Sequence, residues 1–421
     1  MSDVTSPMTT TVQTDAVVVG GGMAGLAAAQ LLRRVGVATV VLDPQPLGGR
    51  ARSDRRGGFV FNRGPHALYL AGEGFKVLAR LGVNPAGGPP STGGKGSVGD
   101  RMGALPLGAT ALVRTSLLGV RGKLALARLM TGVAKVDTAE LGGVSFASWL
   151  DEQHLPVNAR QMVEAIARIS TYANAPETAA ADLIVCQLQL AVAGGVRYVN
   201  DGWQSMVDAL ATGLDVHRLT ALRVHSEGGG VSVESAEGTT VVAKCAVIAA
   251  GTPEMTARML GRASFAVGPP VEAACLDLGT SVPSEPGLLL GIDRPLYLSN
   301  HCPPARLAPS GRSMVHVARY LAPGERTEPA EQKAELLAWA ARVGLTEDRI
   351  VEQRYLHRMT VVAALATAEL GGLRGRPTIS DTGLPAVFLA GDWVGPRGHL
   401  VDASLASAHD AATAAATLLG R

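Results

Sequence analysis

Four apolar residues at 16–19 are followed by Gly20-Gly-Gly-Met-Ala-Gly25 and then by an Ala- and Leu-rich stretch over 26–35. This order predicts a buried strand, a glycine turn and a helix. A second apolar run at 38–42 ends on Asp43 and predicts a second buried strand. Two such strands joined by a helix make a βαβ unit, which implies a parallel sheet. Further along, helices are predicted over 112–136, 145–151, 157–169 and 203–213, with a short strand at 195–200. Runs at 221–226, 231–235 and 239–250, broken by Glu227-Gly-Gly-Gly230 and Ala236-Glu-Gly238, predict hairpin-linked strands. The stretch 272–361 is mixed, with strands at 288–292 and 313–320 and a helix at 329–343. A strand at 385–390, a turn at Gly391-Asp392 and a helix over 402–419 close the chain.

The fold class is α/β. A Rossmann-like domain with a discontinuous, doubly wound parallel sheet is expected from residues 12–70, 200–265 and 380–421. An inserted α+β substrate domain takes 71–199 and 266–379. The first dozen residues are polar and expected to be disordered. Proline-rich segments at 85–90 and 303–309 read as surface loops.

Composition narrows the field of functions. The chain has 421 residues, enough for two or three domains. Hydrophobic residues are 47%, which excludes general disorder. The 51 glycines imply many tight turns or close backbone approaches. A net charge of +2 and 4% aromatics argue against a nucleic-acid partner. Cys186, Cys245, Cys275 and Cys302 share no CxxC spacing, so they read as reduced thiols of a cytoplasmic protein, with no metal site. No run of 18 apolar residues exists, so no membrane-spanning helix is expected. Residues 16–32 are as apolar as a signal-peptide core, but the basic pair Arg33-Arg34 follows them instead of preceding them, which is the wrong order for export. Arg114, Arg121, Lys123, Arg128 and Lys135 make 112–136 basic. Such a stretch admits peripheral membrane contact, though a solvated helix is the favoured reading.

The glycine motif has a physical job at each position. Gly20 permits the tight turn, Gly22 lets a diphosphate approach the backbone, and Gly25 lets helix and strand pack closely. The helix start at Met23 and Ala24 offers free N–H groups and partial positive charge to that diphosphate. Asp43, at the end of the next strand, suits the hydroxyls of an adenosine ribose. Pro44 follows it, and no Arg stands there to hold a 2′-phosphate, which disfavours NADP.

The sequence continues Leu47-Gly48-Gly49-Arg50-Ala51-Arg52-Ser53. Here the chain resembles the flavin-containing amine oxidase and phytoene desaturase superfamily of FAD-dependent oxidoreductases. Further matches are Phe59-Val-Phe-Asn-Arg-Gly-Pro-His-Ala67, Asp201-Gly-Trp-Gln-Ser-Met-Val-Asp-Ala-Leu210, Cys245-Ala-Val-Ile-Ala-Ala-Gly251, Val387-Phe-Leu-Ala-Gly391-Asp392 and Gly398-His-Leu-Val-Asp-Ala-Ser404. The resemblance implies that FAD is the cofactor and that the Rossmann-like domain binds it. It implies that Gly49 and Arg50 meet the diphosphate and that Gly64 and Pro65 pass the flavin ring. It carries Gly251 under the cofactor and sets Gly391 and Asp392 on the ribityl chain. It also points the helix start at Leu400 and Val401 toward the flavin C2 carbonyl.

The match is incomplete. Asp402-Ala403 replaces the usual Gly-Ala; Asp402 suits the N-cap of the last helix, where its charge would oppose that of a reduced flavin. No lysine falls between 272 and 320 to serve as the water-bridged lysine of amine oxidases. His66 and His399 fall in segments that the resemblance sets beside the ring. Both are candidate proton shuttles with an ordinary imidazole pKa of about 6.5; His301, His316 and His357 have weaker claims.

The function expected is hydride transfer from a substrate C–H to flavin N5, in a desaturase or dehydrogenase of an apolar or isoprenoid-like small molecule. Oxidation of an amine C–N bond is the alternative within the class. A non-redox carrier of the same fold is the alternative outside it. The electron acceptor and oligomeric state are left open.

Overall fold

A computed structural model describes residues 10–91 and 93–421. Its centre is a five-stranded parallel sheet in the spatial order Asp215–His217, Thr39–Leu42, Ala16–Val19, Cys245–Ile248, Val387–Leu389. Successive side chains on a strand point to opposite faces. Ala16 and Val18 therefore pack with Cys245 and Val247 under helices Met23–Arg34 and Leu400–Leu418. Val17, Val19, Ala246 and Ile248 face the other way, onto Val224, Val233 and Val241 of a four-stranded meander.

That second layer corrects the doubly wound expectation: a β-meander, not helices, covers this face. The run 239–250 splits at Lys244. Thr239–Ala243 belongs to the meander and Cys245–Ile248 to the central sheet. Thr10–Gln13 pairs in parallel with Thr239–Val242, so this part of the first dozen residues is ordered by strand pairing. The rest of that expectation, residues 1–9, lies outside the described residues.

The second region is built on a seven-stranded sheet, ordered Ile350–Val362, Val271–Thr280, Met314–Tyr320, Leu296–Asn300, Leu288–Gly291, Lys95–Val98, Arg101–Ala104. One face carries Leu276, Leu278, Val315 and Val317 against Leu336 and Trp339 of helix Pro329–Ala341. The other carries Val271, Tyr297, Ala318 and Tyr320 against the helices of residues 109–194. The single helix expected over 112–136 is two, Ala109–Arg114 and Val120–Val133, interrupted where Leu117 and Leu118 turn into the core. On their outer side Val113, Val120 and Leu124 are exposed. Helix Glu73–Arg80, assigned from sequence to the second domain, instead buries Val77 and Leu78 in the same cluster as Leu26 and Leu405. All four cysteines are free thiols. No described helix is long and apolar enough to cross a membrane.

Candidate functional site

The glycine turn is built as its spacing requires. Gly20 holds φ +111°, and a Cβ there would lie 2.3 Å from the Ala249 carbonyl oxygen. A Cβ on Gly25 would lie 1.8 Å from the Gly20 oxygen. Gly22 differs: a Cβ there would meet nothing within 4 Å. It is the N-cap of helix Met23–Arg34, with no side-chain cap and no acid in the first turn. The N–H groups at Met23 and Ala24 begin this helix with its dipole behind them, an arrangement suited to an anion. Asp43 reaches back to this turn, its Oδ2 accepting from Gly21 N at 2.6 Å and its Oδ1 from Gln45 N at 2.7 Å.

Gly48, at φ +113°, donates its N–H to the Gly21 carbonyl at 2.7 Å, which lays Gly49 and Arg50 beside the turn. Arg50 then spans to the closing strand. Its Nη1 and Nη2 donate to Asp392 Oδ2 and Oδ1 at 2.5 and 2.9 Å. Asp392 also accepts from Ala363 N at 3.1 Å and is buried. Gly251, at φ +88°, again leaves its Cβ position open. Ser407 on the last helix ties down Gly391, accepting from its N–H and donating to its carbonyl, both at 2.9 Å.

The start of the last helix departs from expectation. Its N-cap is His399, and Leu400 holds φ +54°. A bulky residue in that region is strained, which marks a position set by surrounding structure. Asp402 does not cap its own helix. Its Oδ1 accepts from Gly74 N at 2.7 Å, in the first turn of helix Glu73–Arg80. Burial pushes this carboxyl up to about 7, with the Gly74 N–H opposing the shift. The fixed opposing charge expected from Asp402 is therefore reduced near neutral pH.

Arg376 gave no signal in the sequence, where it is one arginine in a Gly- and Arg-rich loop. Here it is 7% exposed and donates Nη1 to the Gly398 carbonyl at 2.8 Å, while Nε and Nη2 have no partner. Burial lowers it to about 10, with Asp392 and Asp182 opposing. A buried cation with two free donors beside the helix start, together with the open, uncapped turn at Gly22, fits an extended anionic group such as a dinucleotide.

His66 and His399 do not keep the ordinary imidazole value. His399 is 1% exposed and donates Nε2–H to the Thr171 carbonyl at 2.9 Å; its Nδ1 has no partner. Burial first, then the Arg376 charge, pushes it down to about 4. His66 donates Nδ1–H to Gly64 at 2.9 Å and packs on Trp203. Burial takes it to about 4 as well. Burial thus holds both rings below the ordinary 6.5 expected from the sequence, and neither hydrogen-bonds a carboxylate. The Gly64–Pro65 segment is tied into the second region by Tyr172, whose hydroxyl donates to the Pro65 carbonyl at 3.0 Å.

Behind this segment lies a cluster that strand spacing did not reveal. Five of the six tyrosines, Tyr69, Tyr172, Tyr198, Tyr297 and Tyr320, stand in electrostatic reach of one another, each hydroxyl pushed up chiefly by burial. Tyr172 and Tyr297 lie 5.6 and 6.2 Å from Tyr320, ring to ring. Tyr198 stacks on His301 at 3.7 Å, and His301 meets His316 at 4.4 Å. Trp393 is not part of it, being packed in the other core against Phe265. All six lysines are exposed or half-exposed. A cleft of about 190 Å³, lined by Val98, Arg101, Leu117, Asn158, Gln161, Met162 and Ile292, holds none of the expected site residues.

Comparison with known proteins agrees with this architecture. Residues 18–81 match a sequence family described as an NAD(P)-binding Rossmann-like domain. No curated protein matches the chain. Among solved structures it is similar to putrescine oxidase bound to putrescine, at 17% identity and a TM-score of 0.75, over 98% of this chain and 100% of that one. It is similar to cyclohexylamine oxidase from Brevibacterium oxydans IH-35A, at 17% and 0.73, over 97% and 100%. It is also similar to a CLA-producing fatty acid isomerase from P. acnes, at 14% and 0.68, over 95% and 98%. The chain therefore shares the fold of these proteins along nearly its whole length.

Proposed function

We propose that this chain is an FAD-dependent oxidoreductase that dehydrogenates a neutral, largely apolar small molecule. The carrying observation is the uncapped turn at Gly22, with Arg50 laid beside it, together with the two free donors of buried Arg376 at Gly398. It suits a diphosphate at one end and an electron-rich ring at the other. Gly20, Gly22, Met23, Ala24 and Gly25 would receive the diphosphate, with Gly49 and Arg50 closing over it. Asp43 would take the adenosine ribose, and Gly391 and Asp392 the ribityl chain. Gly64, Pro65 and Gly251 would lie along the ring, and Leu400 and Val401 would aim their N–H groups at its C2 carbonyl.

FAD, when bound, supplies the hydride acceptor. The protein supplies position, electrostatics and exclusion of water. Arg376 and the last helix's N-terminus favour negative charge where a reduced ring would hold it. The tyrosine cluster supports a neutral substrate: both oxygens of Asp277, the carboxylate buried there, are taken by His316 and Arg354, so neither is open to a substrate amine. The likeness to putrescine oxidase and cyclohexylamine oxidase supports a second reading, oxidation of an amine C–N bond.

Purified protein should be yellow, and heat or acid should release all the flavin as FAD. Anaerobic mixing with panels of polyenes and amines separates the readings by which panel bleaches the flavin. A colourless protein that takes up no FAD would reject the proposal and favour a non-redox carrier.

A further inference from the structure

Cys275, Asp277 and His316 are fully buried on the face of the seven-stranded sheet that carries Tyr297 and Tyr320. Asp277 Oδ1 accepts from His316 Nδ1 at 2.5 Å and from Cys275 Sγ at 3.1 Å. Asp277 Oδ2 accepts from Arg354 Nη2 at 2.6 Å and Nε at 3.0 Å. Arg354 also donates to the Asn62 carbonyl and to Asp54, at the hairpin that leads into Gly64. A Cβ on Gly64 would lie 3.8 Å from Cys275 Sγ. The acid–imidazole pair therefore sits directly behind the Gly64–His66 segment.

We propose that the Asp277–His316 pair is the proton-holding element of the site, and that neither His66 nor His399 has that role. The proposal rests on the flavin reading above for its place in a reaction, but not for its geometry. Three imidazoles meet here, those of His66, His301 and His316, and only His316 has a carboxylate. Asp277 fixes His316 Nδ1 as the donor, so an arriving proton adds to Nε2, which is buried and has no partner. Both nitrogens of His301 are also unpartnered, but burial, with the His316 and His66 charges adding, holds that ring well below the ordinary imidazole value. His66 is held low in the same way. Asp277 is kept ionised: burial opposes its charge, yet His316 and Arg354 more than offset that and bring its pKa down.

The groups around His316 are thus Asp277 and Cys275 on one strand, Arg354 on the next, and His301, with His66 in electrostatic reach. The one buried negative charge among them is Asp277, bonded to Arg354, which also pairs with the half-exposed Asp54. For the same reason the trio is not read as a cation site, although its ligand atoms lie within 4.8 Å of one another. A proton on His316 adds one positive charge to the cluster, just behind the segment assigned to the flavin. In dehydrogenation the substrate loses a hydride and a proton. The FAD of the proposed reading accounts for the hydride. The proton leaves the adjacent X–H bond, whose electron pair becomes the new C=X double bond to the carbon that lost hydride, and the Nε2–H bond of His316 forms, directly or through an intervening hydroxyl.

Two measurements test this. In protein labelled with ¹⁵N-histidine, long-range ¹H–¹⁵N spectra should show one cluster imidazole held with its proton on Nδ1 and Nε2 free. The signal should vanish in His316→Gln, persist in His66→Gln, and lose its fixed Nδ1–H form in Asp277→Ala. A signal that survives His316→Gln, or is lost in His66→Gln, overturns the assignment. The flavin midpoint potential, measured against reference dyes with xanthine and xanthine oxidase, should show a break in its slope with pH. His66→Gln and His399→Gln should keep the break and His316→Gln should lose it; a break retained in His316→Gln rejects the coupling. Should the protein take up no FAD, the flavin reading fails, and the imidazole spectra still decide which ring holds Nδ1–H against Asp277.

Discussion

Arg50 and Asp392, 342 residues apart in the chain, are joined by two parallel hydrogen bonds of 2.5 and 2.9 Å. The pair ties the loop after the second central strand to the end of the last one, so cofactor affinity and stability should change together. Removing one partner of a fully buried pair costs about 3–5 kcal/mol. The Arg50 side chain is 40% exposed, so solvent screening should reduce this to about 1–2 kcal/mol for Arg50→Ala. Adding Asp392→Asn removes the stranded charge and should recover part of the loss in urea unfolding. A double variant no more stable than Arg50→Ala would mean that the pair is not coupled.

Gly22 and Gly25 should separate binding from folding. A Cβ at Gly25 collides with backbone, so Gly25→Ala should lower stability by at least about 1–3 kcal/mol. A Cβ at Gly22 meets nothing, so Gly22→Ala should keep a wild-type melting curve while losing FAD. Equal melting losses in both would refute the assignment of Gly22 to cofactor approach.

Asp43 should act on the adenosine end alone. Charge-assisted hydrogen bonds contribute about 1.5–3 kcal/mol, so Asp43→Ala should raise the FAD dissociation constant about 10- to 150-fold. Any FMN binding should be unchanged. Because Asp43 also braces Gly21 N, Asp43→Asn is the control that preserves an acceptor. Loss of FMN as well as FAD in Asp43→Ala would place the side chain elsewhere.

Asp402 should make stability fall as pH rises. Its folded value of about 7 lies above the ordinary 3.8, so folding favours the protonated form. That contribution is present below pH 3.8, declines between 3.8 and 7, and is gone above. The difference is on the order of 4 kcal/mol. Denaturant unfolding of wild type and Asp402→Asn at pH 4 and 7.5 should show the variant gaining relative stability at the higher pH. Parallel pH profiles would show that the carboxyl is not buried neutral.

His399 should act in the opposite sense. Its folded value of about 4 lies below 6.5, so folding favours the neutral ring. That stability is present above pH 6.5 and lost as pH falls from 6.5 to about 4, by about 3 kcal/mol. Gln keeps a donor toward the Thr171 carbonyl and has no proton to gain. His399→Gln should therefore unfold at lower pH than wild type in acid titration followed by circular dichroism. An unchanged acid midpoint would show that His399 charges without cost.

Much of the nucleotide domain was legible along the chain. The strand at Ala16–Val19, the helix start, Asp43 and the close contact that requires Gly25 lie within about 30 residues of one another, whereas Gly20 is also pressed by the Ala249 carbonyl from a later strand's end. The hairpin strands were legible as strands, but not their division between two sheets. Periodicity reports that a strand is buried, not which neighbour it pairs with. The helix Ala181–Gly194 was missed because its apolar residues run almost continuously, with no amphipathic contrast to read.

The sequence alone determined a dinucleotide turn, its acid and a closing Gly-Asp strand, because those features are local and constrained by backbone sterics. Tertiary structure alone decided that Arg50 meets Asp392, that Asp402 serves the helix at Gly74, and that Asp277, His316 and Arg354 converge. His316 and Arg354 meet Asp277 because their strands flank Val271–Thr280 antiparallel and in register, Asp277 opposite His316 on one side and Arg354 on the other. Such a register is fixed by the packing of whole sheets, and no spacing along the chain encodes it.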